Sequence, residues 1–296
     1  MEWRCLAAGA IDALRHGSGA HRMIDQVSNM LRQVASSTIM PRFQRLALSE
    51  IEEKAPGDLV TIADREAEAT ITPRLLALRP GSRVVGEEAV ALSPSLMSDM
   101  DEGSIWLVDP LDGTANFAAG RTPFALMIAL LWHGETVAAW MLDPVADKLA
   151  VAELGSGAWM AGERVHTKGG SPGASALRGA VFTRFMPPNV AKAVTPRLAI
   201  IGEALPGHMC CGAEYPAIAT GGEDFALFWR TQPWDHAPGA LFLTEAGGRV
   251  ARPDGTEYRA GSQAGGLLAA RCLEVWNDAQ AALITQLQDG GLAPTD

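Results

Sequence analysis

The stretch Ile105-Trp106-Leu107-Val108-Asp109-Pro110-Leu111-Asp112-Gly113-Thr114 carries most of what we expect about fold and chemistry. Its four apolar residues predict a buried strand that ends at Asp109. Two carboxylates follow three residues apart, with a rigid proline between them and a glycine that permits unusual backbone angles. Carboxylate oxygens and the Leu111 carbonyl would suit a hard cation such as Mg2+. An ordinary Asx turn explains the same residues, so both interpretations stay open.

Other carboxylates stand at the ends of predicted strands or helices: Asp64, Glu87, Glu88 and Asp235. Each has an ordinary explanation, which is a favourable helix dipole for Asp64, a solvated turn for the two glutamates and an N-cap for Asp235. Acidic strand ends in one half of a chain can also converge on one pocket. Lys54 is expected to be solvated. The amides of Gly113 and Thr114 would face a phosphate if they open a helical turn.

Hydrophobic periodicity predicts two mixed halves joined by a Gly- and Ser-rich seam at 161–178. In the first half we expect helices at 21–46 and 61–78, strands at 83–86 and 105–108, a polar loop at 89–103, and an antiparallel meander at 124–132, 136–142 and 148–154. In the second we expect strands at 179–183 and 224–229 and helices at 189–201, 215–220 and 236–246. The predicted organisation is an extension (1–20), a first half with most acidic residues (21–165) and a second half (166–296).

Composition excludes several classes of protein. Of the 296 residues, 48% are hydrophobic, which suits a sizeable core, and 24 basic against 34 acidic residues argue against a nucleic-acid substrate. The longest apolar run is 124–132, so no membrane span and no membrane partner are expected. Four cysteines lack zinc-ligand spacing and predict free or buried thiols in a reducing, cytoplasmic compartment. We find no Gly-Lys-Ser phosphate loop and no nucleophile elbow.

Together these segments resemble the inositol monophosphatase family, within the lithium-sensitive, magnesium-dependent phosphatase superfamily. Four motifs carry the resemblance in the family's order, at 58–64, 86–88, 106–117 and 234–248, and it spans about residues 22–285. The resemblance implies an α+β fold, a layered αβαβα sandwich of the inositol monophosphatase / fructose-1,6-bisphosphatase type. It also implies a homodimer.

The resemblance further implies roles for individual residues and a cofactor of two or three Mg2+ ions per site. A first ion would be held by Glu87, Asp109 and the Leu111 carbonyl. A second would be held by Asp109, Asp112 and Asp235. A third, weaker ion would lie at Glu87 with Asp64 nearby. The implied catalytic residues, which orient the attacking water, are Glu87, Thr114 and Asp64.

The implied substrate contacts are Gly113, Thr114, Glu214, Phe228, Arg230 and Asp235. Phe228 stands where inositol-preferring members have an acidic residue that binds a ring hydroxyl, while Arg230 and Arg184 would favour a second anionic group. We therefore expect a Mg2+-dependent phosphomonoesterase acting on a small phosphorylated metabolite, similar to an inositol monophosphate. Histidinol phosphate, fructose 1,6-bisphosphate and an adenosine bisphosphate stay open as substrates. A regulatory binding protein with residual phosphatase activity is the alternative of another class.

Overall fold

The computed structural model describes residues 19–55, 57–262 and 264–284, and two β-sheets organise them. A hairpin of β1 (Ile51–Ala55) and β2 (Asp58–Thr61) precedes both sheets. The larger sheet consists of β3 (Arg83–Gly86), β4 (Ser104–Asp112), β5 (Ala125–Trp132), β6 (Glu135–Asp143), β7 (Lys148–Glu153), β8 (Gly157–Met160) and β9 (Glu163–Val165). Its strands follow one another in chain order, and all neighbours are antiparallel except β3 and β4.

The smaller sheet has five strands in a mixed arrangement. They are β10 (Arg178–Val181), β11 (Glu203–Leu205), β12 (Phe225–Phe228), β13 (Arg249–Ala251) and β14 (Leu267–Ala270). Their order is β11-β10-β12-β14-β13, in which β10 runs parallel to both of its neighbours and β14 runs antiparallel to both of its own. Residues 161–178, predicted as a seam, therefore include β9, which adds an edge strand to the first sheet.

The helices complete the layers. They are α1 (Gly19–Val34), α2 (Ile62–Leu78), α3 (Glu87–Leu92), α4 (Thr114–Ala118), α5 (Pro188–Val194), α6 (Cys211–Thr220), α7 (Pro233–Glu245) and α8 (Leu273–Leu283). Helices α1 and α2 pack on one face of the larger sheet, α6 and α7 lie between the two sheets, and α8 covers the far face of the smaller sheet. The predicted layered αβαβα sandwich is confirmed.

Strand β4 shows why the sheet must be covered on both faces. Ile105, Trp106, Leu107 and Val108 are all fully buried. Trp106 and Val108 belong to the core beneath α1 and α2, whereas Ile105 and Leu107 face the core on the α7 side. Alternating side chains on a strand point to opposite faces, so a continuous apolar run requires a layer on each side.

Several predicted boundaries are wrong for local reasons. Helix α1 begins at Gly19 and gives way to a π-helical stretch at Ala35–Ile39, just before Pro41, which has no amide to donate. The predicted 89–103 loop holds the end of α3 and a 3-10 turn at Pro94–Met97. Helix α7 starts at Pro233, not 236. Of the predicted extension, 1–18 lie outside the described residues. No helix in the described part is long and apolar enough to cross a membrane.

Candidate active site

Three segments bring one buried and two half-buried carboxylates together at one edge of the larger sheet. Glu87 opens α3 directly after β3, Asp109 lies within β4, and Asp235 is in the first turn of α7. Ligand oxygens of these three residues lie within 4.8 Å of one another. They line an open cleft of about 930 Å3 that also receives Leu111, Asp112 and Thr114. The structure thus gathers all five predicted metal-ligand residues around one cleft.

A β-bulge explains how Asp109 and Asp112 reach the same cleft. Residues three apart on a regular strand point to opposite faces. Here Asp109 pairs with Met127 and Asp112 pairs with Ala125, so three steps on β4 match two on β5. The extra residue rotates the strand locally. The predicted end of the strand at Asp109 is therefore wrong: β4 continues through the bulge to Asp112.

Backbone amides hold both aspartates in place. Asp109 Oδ1 accepts from the Leu111 amide at 2.9 Å, and Asp112 Oδ2 accepts from the Gly212 amide at 2.6 Å. The second bond ties the first sheet to the start of α6, 100 residues along the chain.

Burial and mutual repulsion make this cluster costly without a cation. Burial, followed by the charges of Glu87 and Asp112, raises the pKa of Asp235 well above its ordinary range, and burial likewise raises the pKa of Asp109. Burial raises the pKa of Asp112 to about 6. Carboxylates this close favour protonation or a bound cation over a shared negative charge. The potential metal-ligand atoms in this group are oxygens, which are hard ligands that suit Mg2+.

Lys54 lies beside this cluster, contrary to the expectation that it is solvated. Its Nζ donates to Glu87 Oε1 at 2.7 Å and to Glu88 Oε1 at 2.9 Å, and the side chain is only 18% exposed. Burial alone would lower the pKa of Lys54, but the two glutamates outweigh it and raise the pKa. Strand β1 of the hairpin therefore places a positive charge beside the acidic edge. We use this name for the carboxylates of Glu87, Asp109, Asp112 and Asp235.

Asp64 acts on the site through Thr114. Asp64 is the third residue of α2, and its Oδ2 accepts from the Thr61 amide at 2.8 Å in a capping box. Thr114 Oγ1 lies 3.0 Å from Asp64 Oδ1 and 2.9 Å from the Leu111 carbonyl oxygen. Burial raises the pKa of Asp64 to about 7. Because Asp64 is 1% exposed, we assign it to positioning Thr114 rather than to direct contact with substrate.

Gly113 allows the chain to turn from β4 into α4. Its φ of 82° and ψ of 31° lie in the left-handed region, which favours glycine. Helix α4 then begins at Thr114 at the rim of the cleft. The first amides of a helix have no partner within it and are suited to an anion.

Glu68 is a site residue that the sequence reasoning missed. Its two carboxylate oxygens accept from the Glu88 and Ala89 amides at 2.9 Å each, so it caps the start of α3, which carries Glu87. Burial raises the pKa of Glu68 to about 6. The spacing of Asp64 and Glu68, four residues apart on one helix face, was the available signal.

The other side of the cleft is aromatic and basic. Phe228, 5% exposed, stacks on Phe182 with ring centroids 5.1 Å apart. At the mouth, the guanidinium groups of Arg184 and Arg230 lie 5.0 Å and 4.3 Å from the ring centroid of Phe185. The predicted contacts Phe228 and Arg230, and also Arg184, thus line the cleft.

Two buried side chains support that wall from behind. His236 bonds the Tyr215 hydroxyl at 2.9 Å and the Arg230 carbonyl oxygen at 3.0 Å, and burial lowers the pKa of His236 to about 3. A neutral imidazole at this position holds the backbone beneath Arg230. Arg230 Nη1 lies 3.3 Å from Asp58 Oδ2, which anchors the guanidinium at the cleft.

Glu214, a predicted substrate contact, lines the cleft from a buried position. The residue is fully buried, and Oε2 accepts from the His208 amide at 2.8 Å. Burial, followed by the charge of Glu223, raises the pKa of Glu214 to about 8. Its other carboxylate oxygen, Oε1, has no hydrogen-bond partner among the described residues. The role of Glu214 as a substrate contact stays a prediction. The described cysteines Cys210, Cys211 and Cys272 are free thiols.

Comparison with known proteins agrees with this arrangement. The inositol monophosphatase family profile matches residues 21–291. The chain is 31% identical to an inositol-1-monophosphatase of Rhizobium meliloti (strain 1021), over 72% of this chain and 79% of the relative. It is also 31% identical to a fructose-1,6-bisphosphatase/inositol-1-monophosphatase of Thermotoga maritima, over 71% of this chain and 78% of that one.

A solved structure supports the same assignment. The extragenic suppressor protein suhB from Bartonella henselae superposes with a TM-score of 0.73 at 26% identity, covering 87% of this chain and 98% of that one. The shared layers and the match over most of the sequence confirm the resemblance that the four motifs indicated. The chain therefore belongs to the inositol monophosphatase family, whose members are phosphatases that hydrolyse phosphate monoesters.

Proposed function

We propose that this protein is a magnesium-dependent phosphatase that hydrolyses a small phosphate monoester by direct attack of water. The convergence of Glu87, Asp109 and Asp235 within 4.8 Å in an open cleft carries the proposal. These side chains come from segments as far apart as 148 positions in the chain, and their burial would be unfavourable without a cation.

The residues present fit the oxygen-rich site that Mg2+ requires. Glu87, Asp109 and the Leu111 carbonyl would hold one ion, and Asp109, Asp112 and Asp235 would hold another, with a third weaker ion at Glu87. Bound Mg2+ would supply an activated water and neutralise charge on the phosphate and on the departing oxygen. The glutamate and aspartates would otherwise repel a phosphate dianion.

Thr114 and Glu87 would orient the attacking water. The Thr114 hydroxyl lies within hydrogen-bond distance of Asp64 Oδ1 and of the Leu111 carbonyl oxygen, so its position at the cleft is fixed. Glu87 would accept the proton that the water gives up. Lys54 and the start of α3, capped by Glu68, keep Glu87 in place for that task. Such preorganisation reduces the barrier because no side chain has to reorient during the reaction.

The Gly113–Thr114 turn would bind the phosphate. Gly113, Thr114 and Ala115 line the cleft, and the first amides of α4 have no acceptor within the helix, so a phosphate oxygen would accept from them. No covalent enzyme intermediate is needed, since in-line displacement by water requires mainly positioning and charge neutralisation.

The aromatic and basic wall indicates the class of leaving group. Phe182 and Phe228 offer apolar faces, and Arg184 and Arg230 offer guanidinium groups at the mouth. A guanidinium binds a phosphate or carboxylate well, whereas an uncharged polyol gains little from it. We therefore infer that the preferred substrate carries a second anionic group, as fructose 1,6-bisphosphate and an adenosine bisphosphate do. Inositol 1-phosphate and histidinol phosphate would be slower substrates.

A panel of phosphorylated metabolites, assayed for phosphate release with and without Mg2+, tests the proposal. We expect release only with Mg2+ and the highest kcat/KM for a doubly anionic substrate. Phosphate release that is unchanged by chelation would contradict the metal chemistry. A clear preference for inositol 1-phosphate would contradict the substrate class but not the phosphatase.

The resemblance adds three further expectations to the proposal. The protein would be inhibited by Li+, would act in the cytoplasm, and would form a homodimer. Sedimentation of the purified chain would test the last expectation, and a Li+ titration of phosphate release would test the first.

A further inference from the structure

A second group of potential metal ligands lies around α6. His208 precedes the helix, Glu214 lies in its first turn, and Glu223 follows it. One ligand atom from each of the three lies within 4.8 Å of the others. The metal chemistry proposed above uses none of these residues.

The contacts within the group are close to those around a bound cation. His208 Nε2 lies 3.0 Å from Glu223 Oε1. Two ligands of a tetrahedral zinc ion, each about 2.1 Å from the metal, lie about 3.4 Å apart. A small outward shift of either side chain would therefore admit an ion between them. Glu214 Oε2 is oriented by the His208 amide at 2.8 Å.

Unpaired buried oxygens point independently to a missing ligand. Glu214 and Glu223 are 0% and 5% exposed, respectively. Among the described residues, neither Glu214 Oε1 nor Glu223 Oε2 has a hydrogen-bond partner. Buried carboxylate oxygens are almost always paired with a donor or a metal. A cation bound between Glu214 and Glu223 would give each of these unpaired oxygens a partner.

We propose that His208, Glu214 and Glu223 form a binding site for a borderline divalent cation of the Zn2+ type. One imidazole nitrogen and two carboxylate oxygens are a donor set that zinc accepts, with water as a fourth ligand. The imidazole distinguishes this site from the all-oxygen group at Asp109, which suits Mg2+. The His208 side chain is 39% exposed and provides the entry path.

Occupation of this site would brace the wall of the active-site cleft. The three ligands bracket α6, and the same segment bonds the acidic edge through the Gly212 amide on Asp112 at 2.6 Å. The His208 carbonyl oxygen also accepts from Asn116 Nδ2, in α4, at 3.1 Å. A cation that fixes His208 would therefore fix the loop between two groups that the proposed reaction uses.

Zinc binding by the full-length protein in saturating Mg2+ tests the proposal. Mg2+ would occupy the oxygen-only site and compete poorly where an imidazole is a ligand. We expect a tightly bound zinc ion that His208→Gln and Glu223→Gln weaken at least about tenfold. Substitution of Co2+ should give the visible absorption bands of a low-coordinate nitrogen and oxygen site, and both variants should lose them.

Two controls separate this site from other sources of zinc binding. His166→Gln removes an exposed histidine elsewhere and should leave zinc affinity unchanged, as should Asp235→Asn, which alters the acidic edge. Circular dichroism checks that the His208 and Glu223 variants are folded. The site is refuted if these folded variants bind zinc as the parent does, or if the parent binds no zinc in the presence of Mg2+. In that case a proton shared between Glu214 and Glu223 accounts for their neighbouring buried oxygens.

Discussion

The two walls of the cleft use opposite means to bind the same kind of molecule. The acidic edge, formed by Glu87, Asp109, Asp112 and Asp235, is buried at Asp109 and half-buried elsewhere, and its negative charge would repel a phosphate until a cation is present. The mouth, formed by Phe182, Arg184, Phe185, Phe228 and Arg230, is more open and attracts anions directly. Chemistry should therefore depend on the first wall and substrate preference on the second.

The difference also predicts how each wall tolerates change. Asp109 and Asp112 are held by backbone amides, and they would share the proposed ions with Glu87 and Asp235, so the loss of one carboxylate disturbs the others. The arginines at the mouth are about one-third exposed or more, so water screens their charges. Substitutions at the edge should affect every substrate alike, whereas substitutions at the mouth should affect some substrates and spare others.

The largest effect is expected from Asp109→Asn at the acidic edge. Asp109 is a shared ligand of both proposed Mg2+ ions, so the variant should lose about a thousandfold or more of kcat/KM, roughly 4 kcal/mol of transition-state stabilisation. Phosphate release measures the loss. Asp147→Asn, at an exposed aspartate with a 70% exposed side chain, is the matched control and should remain active. Full activity of Asp109→Asn would place the reaction elsewhere.

A second prediction concerns the stability of the metal-free protein. Burial raises the pKa of Asp64 to about 7 and of Asp112 to about 6, from 3.8 for each. The folded state thus binds protons more tightly than the unfolded chain, and the resulting stability is complete below about pH 4 and is lost as the pH rises through 6 to 7. Without metal, Tm should fall on the order of 5 °C between pH 5 and pH 8.

Mg2+ should reverse that trend at the acidic edge. It replaces protons among the carboxylates, so it should raise Tm more at pH 8 than at pH 5. Differential scanning calorimetry at both pH values, with Mg2+ or with a chelator, measures both effects. A metal-free Tm that does not change with pH would show that the carboxylates are not buried as described.

A tenfold effect is expected from Arg230→Gln at the mouth. Loss of the guanidinium should raise KM about tenfold for a doubly anionic substrate, equivalent to about 1.4 kcal/mol. The KM for a substrate with one phosphate should change little. Steady-state kinetics with the two kinds of substrate measure the split. Arg74→Gln, at an exposed arginine on α2, is the control. Equal losses for both substrates would mean that Arg230 serves the fold rather than selectivity.

The smallest effect is expected at Gly113, between the two walls. Alanine at its φ of 82° should cost about 1 kcal/mol of unfolding free energy. Its Cβ would also lie 3.0 Å from the Pro123 carbonyl oxygen, so phosphate release should fall a few-fold. Gly81→Ala, at φ 86° with no atom within 4 Å of the added Cβ, has equal backbone strain and should remain fully active. Urea unfolding and phosphate release compare the pair.

Local patterns predicted much of the fold. Helix α2, the antiparallel meander of β5 to β7 and strand β3 were found nearly at their observed bounds, because each depends on hydrophobic periodicity within a few residues. The cluster of Glu87, Asp109 and Asp235 was expected from the family motifs. The bulge in β4 could not be seen, since a bulge depends on how the neighbouring strand pairs.

Other site features depend on contacts between distant segments. Lys54 pairs with Glu87, 33 residues away, and Glu68 caps a helix that starts 19 residues later. Glu214 was predicted as a substrate contact, and folding also brings its buried carboxylate close to His208 and Glu223. Isolated charged residues in a sequence are usually solvated, and only the packed chain shows which of them have lost water and gained partners.

The sequence by itself determined the family, the order of the elements and the carboxylates that can hold a metal, because those depend on residue type and local spacing. Tertiary structure alone decided which carboxylates share a cleft, which are paired within a wall, and which face of β4 carries Asp112. The physical reason is that burial, repulsion and hydrogen bonding act between side chains that folding brings together from remote positions, and their strength follows from distance and exposure rather than from position in the chain.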